Sequence, residues 1–509
     1  MNRILVLALS FLGLALLRPT NLPAQPDSTP PASKDGGKFV SDVTVPDGTA
    51  FKPGERFIKT WRVLNSGSTT WENYQLFFTN GDPLGAPTFV AVPATPPGQT
   101  VDISVPMIAP TEAGTYQGNW GLRAMDGTGF GQPVFVLILV QGRLAEAVQR
   151  RLGTRPVLYM DLDGDEPVIS AVHPNGTLTK GVVRSADVGC LVCAGSSSAV
   201  WSPDGRQFAF LVLDHETRAS ILYLQGIGGK AEVVARIEGG ASDPIWAPDG
   251  KRIALLGDGI HMVDLSSRST ATYSLREVPE VIRATGLMFR VNKFRWSPDG
   301  RRILLSWGAA VVLDTVTRRV EVITRHPVFA EWGPNGEGVY YVDLLYEDDQ
   351  ATVFKDWSGL YYQALNRPEP VRLVQGLALT ESLSLTKGDV GGAALWPGFI
   401  TLSPAGPTLA IMLRRSDTKG TDLYLYDLGN KARANLGRPS RRIHLQDRVM
   451  AMDWSPTGKG MVGVVAWKGL NIKVLDFETE AWTTLAAVSP NETVVSLYGF
   501  GFRMISWTQ

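Results

Sequence analysis

The stretch that decides the fold is Trp201-Ser-Pro-Asp-Gly205, because the chain repeats it with variations five more times. The copies read W246APDG, W296SPDG, W332GPNG, L402SPAG and W454SPTG, spaced by 45, 50, 36, 70 and 52 residues. Pro at the second position of a tight turn fixes φ, Asp or Asn suits the third, and Gly accepts positive φ at the fourth. Each copy therefore turns the chain between two antiparallel strands, and the leading Trp gives each unit a large apolar wedge to set against its neighbour. The segments after the turns have strand character: QFAFLVL, SILYLQ and AEVVARI after Gly205, and RRILLSW, AAVVLDT and RRVEVIT after Gly300. A repeat of 40 to 50 residues made of a few short strands is the signature of a β-propeller.

The propeller is expected over residues 153–509. Front segments PVLYMDL and TLTKGVV and rear segments TVVSLYGF and FRMISW carry no motif of their own. Paired together they make a split blade that closes the ring and removes its open sheet edges. That gives seven blades of roughly 51 residues each, against six longer ones; seven is the favoured count. An Asp recurs at the end of the third strand (Asp264, Asp314, Asp427, Asp476) and is expected to cap a turn. These repeats resemble the TolB-like family of WD-related propellers, whose consensus centres on the same turn.

Residues 39–142 read as a first domain of short β runs separated by turn signals, with no helical period, which indicates a β-sandwich. The order FKPGERFIKTW, NSGSTTW, PPGQTVDISVPMIAPTEAGTY, GNWGLRAMDGTGFG and a closing apolar strand resembles the four-tryptophan (FW) domain of a selective-autophagy receptor family, also common in exported bacterial proteins. Trp61, Trp71 and Trp120 fall on three of its signature tryptophans, and Val134-Phe135-Val136 stands where the fourth is expected, with Phe as a core filler. The resemblance implies an immunoglobulin-like protein-interaction module, in which the tryptophans pack the core and sheet edges. The fold class is thus all-β: an immunoglobulin-like sandwich followed by a propeller.

The N-terminus reads as a targeting signal over residues 1–24. Arg3 precedes an apolar run, Ile4 to Leu17, and Leu22-Pro23-Ala24 offers a cleavage site. That run would rise about 21 Å as a helix, short of the ~30 Å hydrocarbon core, which favours a cleaved signal over a retained anchor. Residues 25–38, rich in Pro, Ser and Gly, read as a flexible linker. The expected location is extracytoplasmic: secreted, periplasmic or on the cell surface. With 49 basic and 49 acidic residues the net charge is zero, so there is no electrostatic case for nucleic acid or an anionic membrane as partner. Nothing after the signal is long and apolar enough to span a membrane.

Chemistry-bearing candidates are few. Cys190 and Cys193 form the chain's one C-x-x-C, read as a small disulfide or as a pair of reduced thiols; alone it does not complete a zinc site. Asp161-Leu-Asp163-Gly-Asp165-Glu166 has part of a calcium-loop pattern but lacks its glycine and glutamate positions, so it reads as an acidic turn. His173, His215, His261, His326 and His444 show no ligand spacing, and Gly195-Ser-Ser-Ser-Ala199 is not a nucleophile elbow. No cofactor, metal or catalytic residue is expected. The interval from Asp343 to Ile400 carries an insertion, EDDQATVFKDWSGLYYQ, expected as an enlarged hairpin; Asp348, Trp357, Tyr361 and Tyr362 on it are the candidate recognition residues, or else pack on the next blade. The favoured function is a non-catalytic binding or scaffold protein for a protein, peptide or envelope glycan. The alternative is a hydrolase or lyase with its site in the propeller channel; a purely structural spacer is the third possibility.

Overall fold

The structure, a computed structural model, describes residues 34–507 except 164–165, 190, 192–198, 215, 275–292, 307–308, 325–327, 347–353, 368, 376–399, 415–419, 430–435, 437–438, 448, 467–469 and 490–504. The described strands form a two-sheet sandwich and seven four-stranded antiparallel sheets. The segment read as a targeting signal, most of that read as a linker and both cysteines lie outside the described residues.

In the sandwich, β1 (Gly37–Asp42), β3 (Arg56–Asn65) and β6 (Thr100–Ile108) make one sheet in the order β1-β3-β6. Strands β2 (Thr49–Phe51), β4 (Gln75–Gly81), β5 (Phe89–Ala91), β7 (Gly114–Arg123) and β8 (Gly129–Val140) make the other, in the order β2-β8-β7-β4-β5. Period-two alternation along β6 (Ile103, Val105, Met107 inward; Asp102, Ser104, Pro106 outward) buries one face. Trp61, Trp71 and Trp120 are the largest side chains in the resulting core. The Trp61 indole N–H donates to the Phe135 carbonyl at 2.9 Å and its ring lies 6.2 Å from that of Trp120. Phe135 itself does not fill the core as the sequence suggested. Opposite Asn119 on β7 its side chain points outward, 41% exposed, and Val134 and Val136 take the inward positions. Strand β1 starts two residues inside the stretch read as linker, and Asp35 accepts the Tyr74 hydroxyl at 2.8 Å just before it.

The ring is seven-bladed and closed by both ends of its own chain. Blade 1 is split: Ile505–Ser506 pairs with Val157–Asp163, followed by Glu166–Val172 and Leu178–Arg184. The acidic segment read as a turn is thus the tight connection of a hairpin, with Asp163 taking Arg184 Nη1 at 2.6 Å and Lys180 Nζ at 3.3 Å. The rear segment TVVSLYGF lies outside the described residues. Blades 2, 3 and 4 begin at Val200–Trp201, Ser242–Trp246 and Lys293–Trp296, and blades 5, 6 and 7 at Val328–Trp332, Ile400–Leu402 and Val449–Trp454. The first strands of successive blades lie side by side around the axis. In blade 5, Gly338–Tyr346 and Phe354–Ala364 form the long hairpin anticipated for the insertion.

Between sandwich and ring, α1 (Glu146–Leu152) sits on the seam. Leu144 and Leu152 join a core cluster drawn from blades 1 and 7, with Tyr159, Val172, Val462, Ile472 and Trp507. Arg151 holds Asp476 of blade 7 through Nε at 3.0 Å and Nη2 at 2.5 Å, and its carbonyl accepts the Thr457 hydroxyl.

Candidate functional site: the cavity inside the motif ring

Five of the six motif turns close as their sequence dictates, the glycine N–H donating to the carbonyl three residues back: Gly205 to Ser202, Gly250 to Ala247, Gly300 to Ser297, Gly336 to Gly333 and Gly458 to Ser455, all at 2.8–3.0 Å. These glycines have φ between 65° and 69°. Where Asp is present it fastens the turn; Asp204 Oδ1 accepts Ser202 Oγ at 2.6 Å and the Arg206 N–H at 3.1 Å. The sixth copy differs. Gly406 lacks the left-handed φ because Pro407 comes next and restrains the preceding residue.

Each motif tryptophan is a wedge driven into the preceding blade. Trp201 packs with Leu158, Met160 and Ile169 of blade 1, Trp246 with Leu211 and Leu222 of blade 2, and Trp332 with Leu304 and Val312 of blade 4. The indole N–H groups add a repeated bond across the same gap: Trp246 to the Val200 carbonyl at 3.1 Å, Trp296 to Ile245 at 3.4 Å and Trp332 to Arg295 at 3.2 Å. A sixth tryptophan in the series is Trp507, buried, whose indole donates instead to the Arg155 carbonyl at the start of its own blade, at 2.8 Å. It occupies the motif position of blade 1 with no Pro-Asp-Gly turn behind it, so its sequence does not mark it as one of the set.

Because the turns sit at the inner strand ends, they converge. Six motif prolines (Pro203, Pro248, Pro298, Pro334, Pro404 and Pro456) line one cavity of about 630 Å³, with Trp246, Trp296, Trp332 and Trp454 among its walls. That volume is in the range of small-ligand and peptide sites. In five of the six copies the residue just before the motif also faces it: Ile245, Arg295, Glu331, Thr401 and Asp453. The sequence reading named recognition residues only on the insertion and gave the propeller channel as the place of the enzymatic alternative, without naming the residues that line this ring. The signal was present in the position preceding the tryptophan, which reads Val, Ile, Arg, Glu, Thr and Asp across copies that otherwise agree.

The charged groups of the cavity are not equivalent. Glu331 Oε1 accepts the Trp332 N–H at 2.9 Å and Oε2 accepts Leu402 N–H, on the next blade, at 3.4 Å. Asp453 does the same one pair further round: Oδ1 takes the Trp454 N–H at 3.0 Å and Oδ2 the Trp507 N–H at 2.8 Å. Both carboxylates thereby clasp adjacent blades through backbone amides. Arg155 and Arg295 have no such partners; among the described residues no carboxylate is hydrogen-bonded to either guanidinium. Arg155 lies over the Trp201 ring, 5.9 Å from its centroid, and against Gly205. Burial pushes its guanidinium down from the ordinary arginine range, against the attraction of Asp204 and Asp453.

The sequence-selected candidates lie elsewhere. Tyr361 stacks on Tyr341 with centroids 5.3 Å apart, and Tyr362 is buried against Tyr340 at 4.9 Å, so both pack blade 5. Trp357 stands opposite Leu344 on the hairpin, and Asp348 lies outside the described residues, as do His215 and His326. His444 Nδ1 is 2.9 Å from Asp422 Oδ1, and His261 is buried beside Thr272, 3.0 Å away; burial holds its pKa low. Among the described residues no three potential metal donors come together.

Comparison with known proteins bears on both halves. Residues 44–140 match the family model described as "Ig-like domain from next to BRCA1 gene", and residues 179–325 match "Lipoprotein LpqB beta-propeller domain". The chain carries a next-to-BRCA1-type Ig-like domain in front of an LpqB-type β-propeller domain. Curated relatives include Protein ILRUN of Danio rerio, 33% identical over 135 residues, 25% of this chain and 47% of that one. Another is Next to BRCA1 gene 1 protein of Homo sapiens, 39% identical over 103 residues, 19% and 11% of the two chains. The chain spans less than half the length of these relatives. Among solved structures, the β-propeller domain of the Trilobed protease from Pyrococcus furiosus is similar over 75% of this chain and 94% of that one, at 9% identity and a TM-score of 0.41. Oligogalacturonate lyase from Vibrio parahaemolyticus is similar over 65% and 86%, at 11% identity and a TM-score of 0.41. Neither likeness extends to activity or ligand. No helix among the described residues is long and apolar enough to cross a membrane.

Proposed function

We propose that the chain is an exported, non-catalytic binding protein whose propeller takes a ligand in the cavity inside the motif ring, with the Ig-like domain as a second interaction module. One observation carries the reading. The six turns place rigid proline and tryptophan surfaces around a single cavity of about 630 Å³, and the two carboxylates that could serve as acid and base there are committed to backbone amides of neighbouring blades. Those bonds hold both carboxylates to a structural task, clasping neighbouring blades. A preformed, mostly apolar cavity with few polar groups suits recognition instead. Export is supported by the apolar run Ile4 to Leu17 after Arg3, and by the match of the propeller to a domain described from a lipoprotein.

The test is capture from an envelope extract by the immobilised mature chain and by Thr401→Trp, which fills the cavity from an inner strand. Wild type retaining a species that Thr401→Trp, still cooperatively folded, does not retain supports the proposal. Equal retention by both overturns it. Conversion of the captured species to lower-mass products by wild type alone favours the hydrolase or lyase alternative.

A further inference from the structure

The hydrogen-bonding capacity of the cavity is lopsided. Its carboxylates are already engaged, Glu331 and Asp453 each accepting main-chain N–H groups on both oxygens. Its donors are not. An arginine offers five N–H groups and no acceptor, and neither Arg155 nor Arg295 is hydrogen-bonded to a carboxylate among the described residues.

Arg252 of blade 3 gives the contrast. Like Arg155 it covers the next blade's tryptophan, 4.9 Å from the Trp296 centroid. But its Nη2 donates to Asp249 at 2.9 Å and to the Gly300 carbonyl at 2.9 Å. In blade 4, Arg302 Nη1 reaches the Gly336 carbonyl in the same manner. The usual arginine of this ring is tied down at the rim; Arg155 and Arg295 line the cavity without such ties. They come from blades 1 and 4, three blades apart, so the two cationic groups approach the cavity from different sides of the ring.

Resting on the cavity-binding reading, we infer that this cavity recognises an acidic peptide segment, an Asp or Glu carboxylate being held by Arg295 while the flanking residues lie on the motif prolines and tryptophans, with Arg155 adding positive charge from the far side of the ring. Arginine is suited to the carboxylate because its planar fork matches it in a bidentate pair. A peptide fits the walls better than a sugar does. Apart from the four charged residues, the polar side chains on the cavity wall are Thr401 and Ser403, too few to satisfy a ring of hydroxyls. Pro203, Pro248 and Pro298 offer flat apolar surface suited to aliphatic side chains.

The experiment uses the full mature chain and a pooled set of N-acetylated, C-amidated pentapeptides with a central Glu between Leu and Pro residues, beside the same set with Gln. Binding is read by isothermal titration calorimetry at low and high salt. A charge-assisted hydrogen bond contributes about 1.5–3 kcal/mol, so the Glu set is expected to bind roughly 10- to 100-fold tighter than the Gln set. The preference is expected to weaken as salt rises. Arg295→Gln should remove most of it while leaving the Gln peptides bound as before, and Arg295→Lys should restore part of it. Equal affinity for Glu and Gln peptides overturns the anion assignment and leaves the cavity reading intact, since capture lost in Thr401→Trp tests that separately. Binding of an oligogalacturonate probe without binding of either peptide set overturns the peptide assignment.

Discussion

Trp507 is where the closure of the ring can be measured. Its side chain is fully buried in the cluster shared by blades 1 and 7, its indole donates to the Arg155 carbonyl at 2.8 Å, and its main-chain N–H is held by Asp453. Replacing it with alanine removes a large side chain from a packed seam, which costs about 3–5 kcal/mol. The Arg155 carbonyl also loses its partner, adding about 1 kcal/mol. The expected destabilisation by Trp507→Ala is therefore about 4–6 kcal/mol. Trp507→Phe keeps one aromatic ring but loses the donor and part of the indole volume, for about 2–3 kcal/mol. The assay is equilibrium urea unfolding of residues 25–509 by far-UV circular dichroism, fitted for the propeller transition. If Trp507→Ala lies within about 1 kcal/mol of wild type, as surface substitutions do, the C-terminal strand is not the ring's seal and the seven-blade closure is wrong.

Three further outcomes rest on particular contacts. Gly205→Ala forces an L-residue to φ 68° and displaces the flexible end of Arg155, so a loss of about 1–2 kcal/mol, chiefly from the backbone, is expected; Gly406→Ala, with neither constraint, should stay within about 0.5 kcal/mol in the same unfolding assay. Arg151→Ala leaves the buried Asp476 carboxylate without its bidentate partner and should cost about 2–3 kcal/mol, the residual exposure of Arg151 keeping it below a fully buried pair. Asp264, held by the Ser266 hydroxyl and then by the Ser267 N–H and hydroxyl, has its pKa lowered from 3.8 to about 2. A depressed carboxylate stabilises the fold above its unfolded pKa and loses that contribution as pH falls through the folded value. Thermal melts of wild type and Asp264→Asn should therefore differ at neutral pH and converge between pH 3.8 and about 2; a constant difference across that window would exclude this linkage.

The architecture was legible because its signals are local. Turn chemistry at Ser202–Gly205 and its copies, and the tryptophan before each, specify a blade without knowledge of its neighbours. The split blade was legible for a different reason, since strands left over at both ends have only each other to pair with. Phe135 went wrong because one residue of register decides which face of β8 a side chain takes, and composition alone does not fix register. Glu166–Val172 was passed over as a strand because the acidic run in front of it drew the reading toward a turn. The cavity was invisible for a topological reason. Ile245, Arg295, Glu331, Thr401 and Asp453 are some 36 to 70 residues apart in sequence and meet only when the ring closes. The aromatic insertion looked more promising because its residues are contiguous, yet Tyr361 and Tyr362 are spent on packing blade 5.

Amide hydrogen exchange of residues 25–509, with and without the species captured from an envelope extract, tests the central claim most directly. Ligand seated in the cavity is expected to slow exchange at the motif turns, Ser202–Gly205, Ala247–Gly250, Ser297–Gly300 and Ser455–Gly458, and to leave the blade 5 hairpin unchanged. Protection confined to the hairpin or to the sandwich, with the motif turns exchanging as in the free protein, would contradict the account.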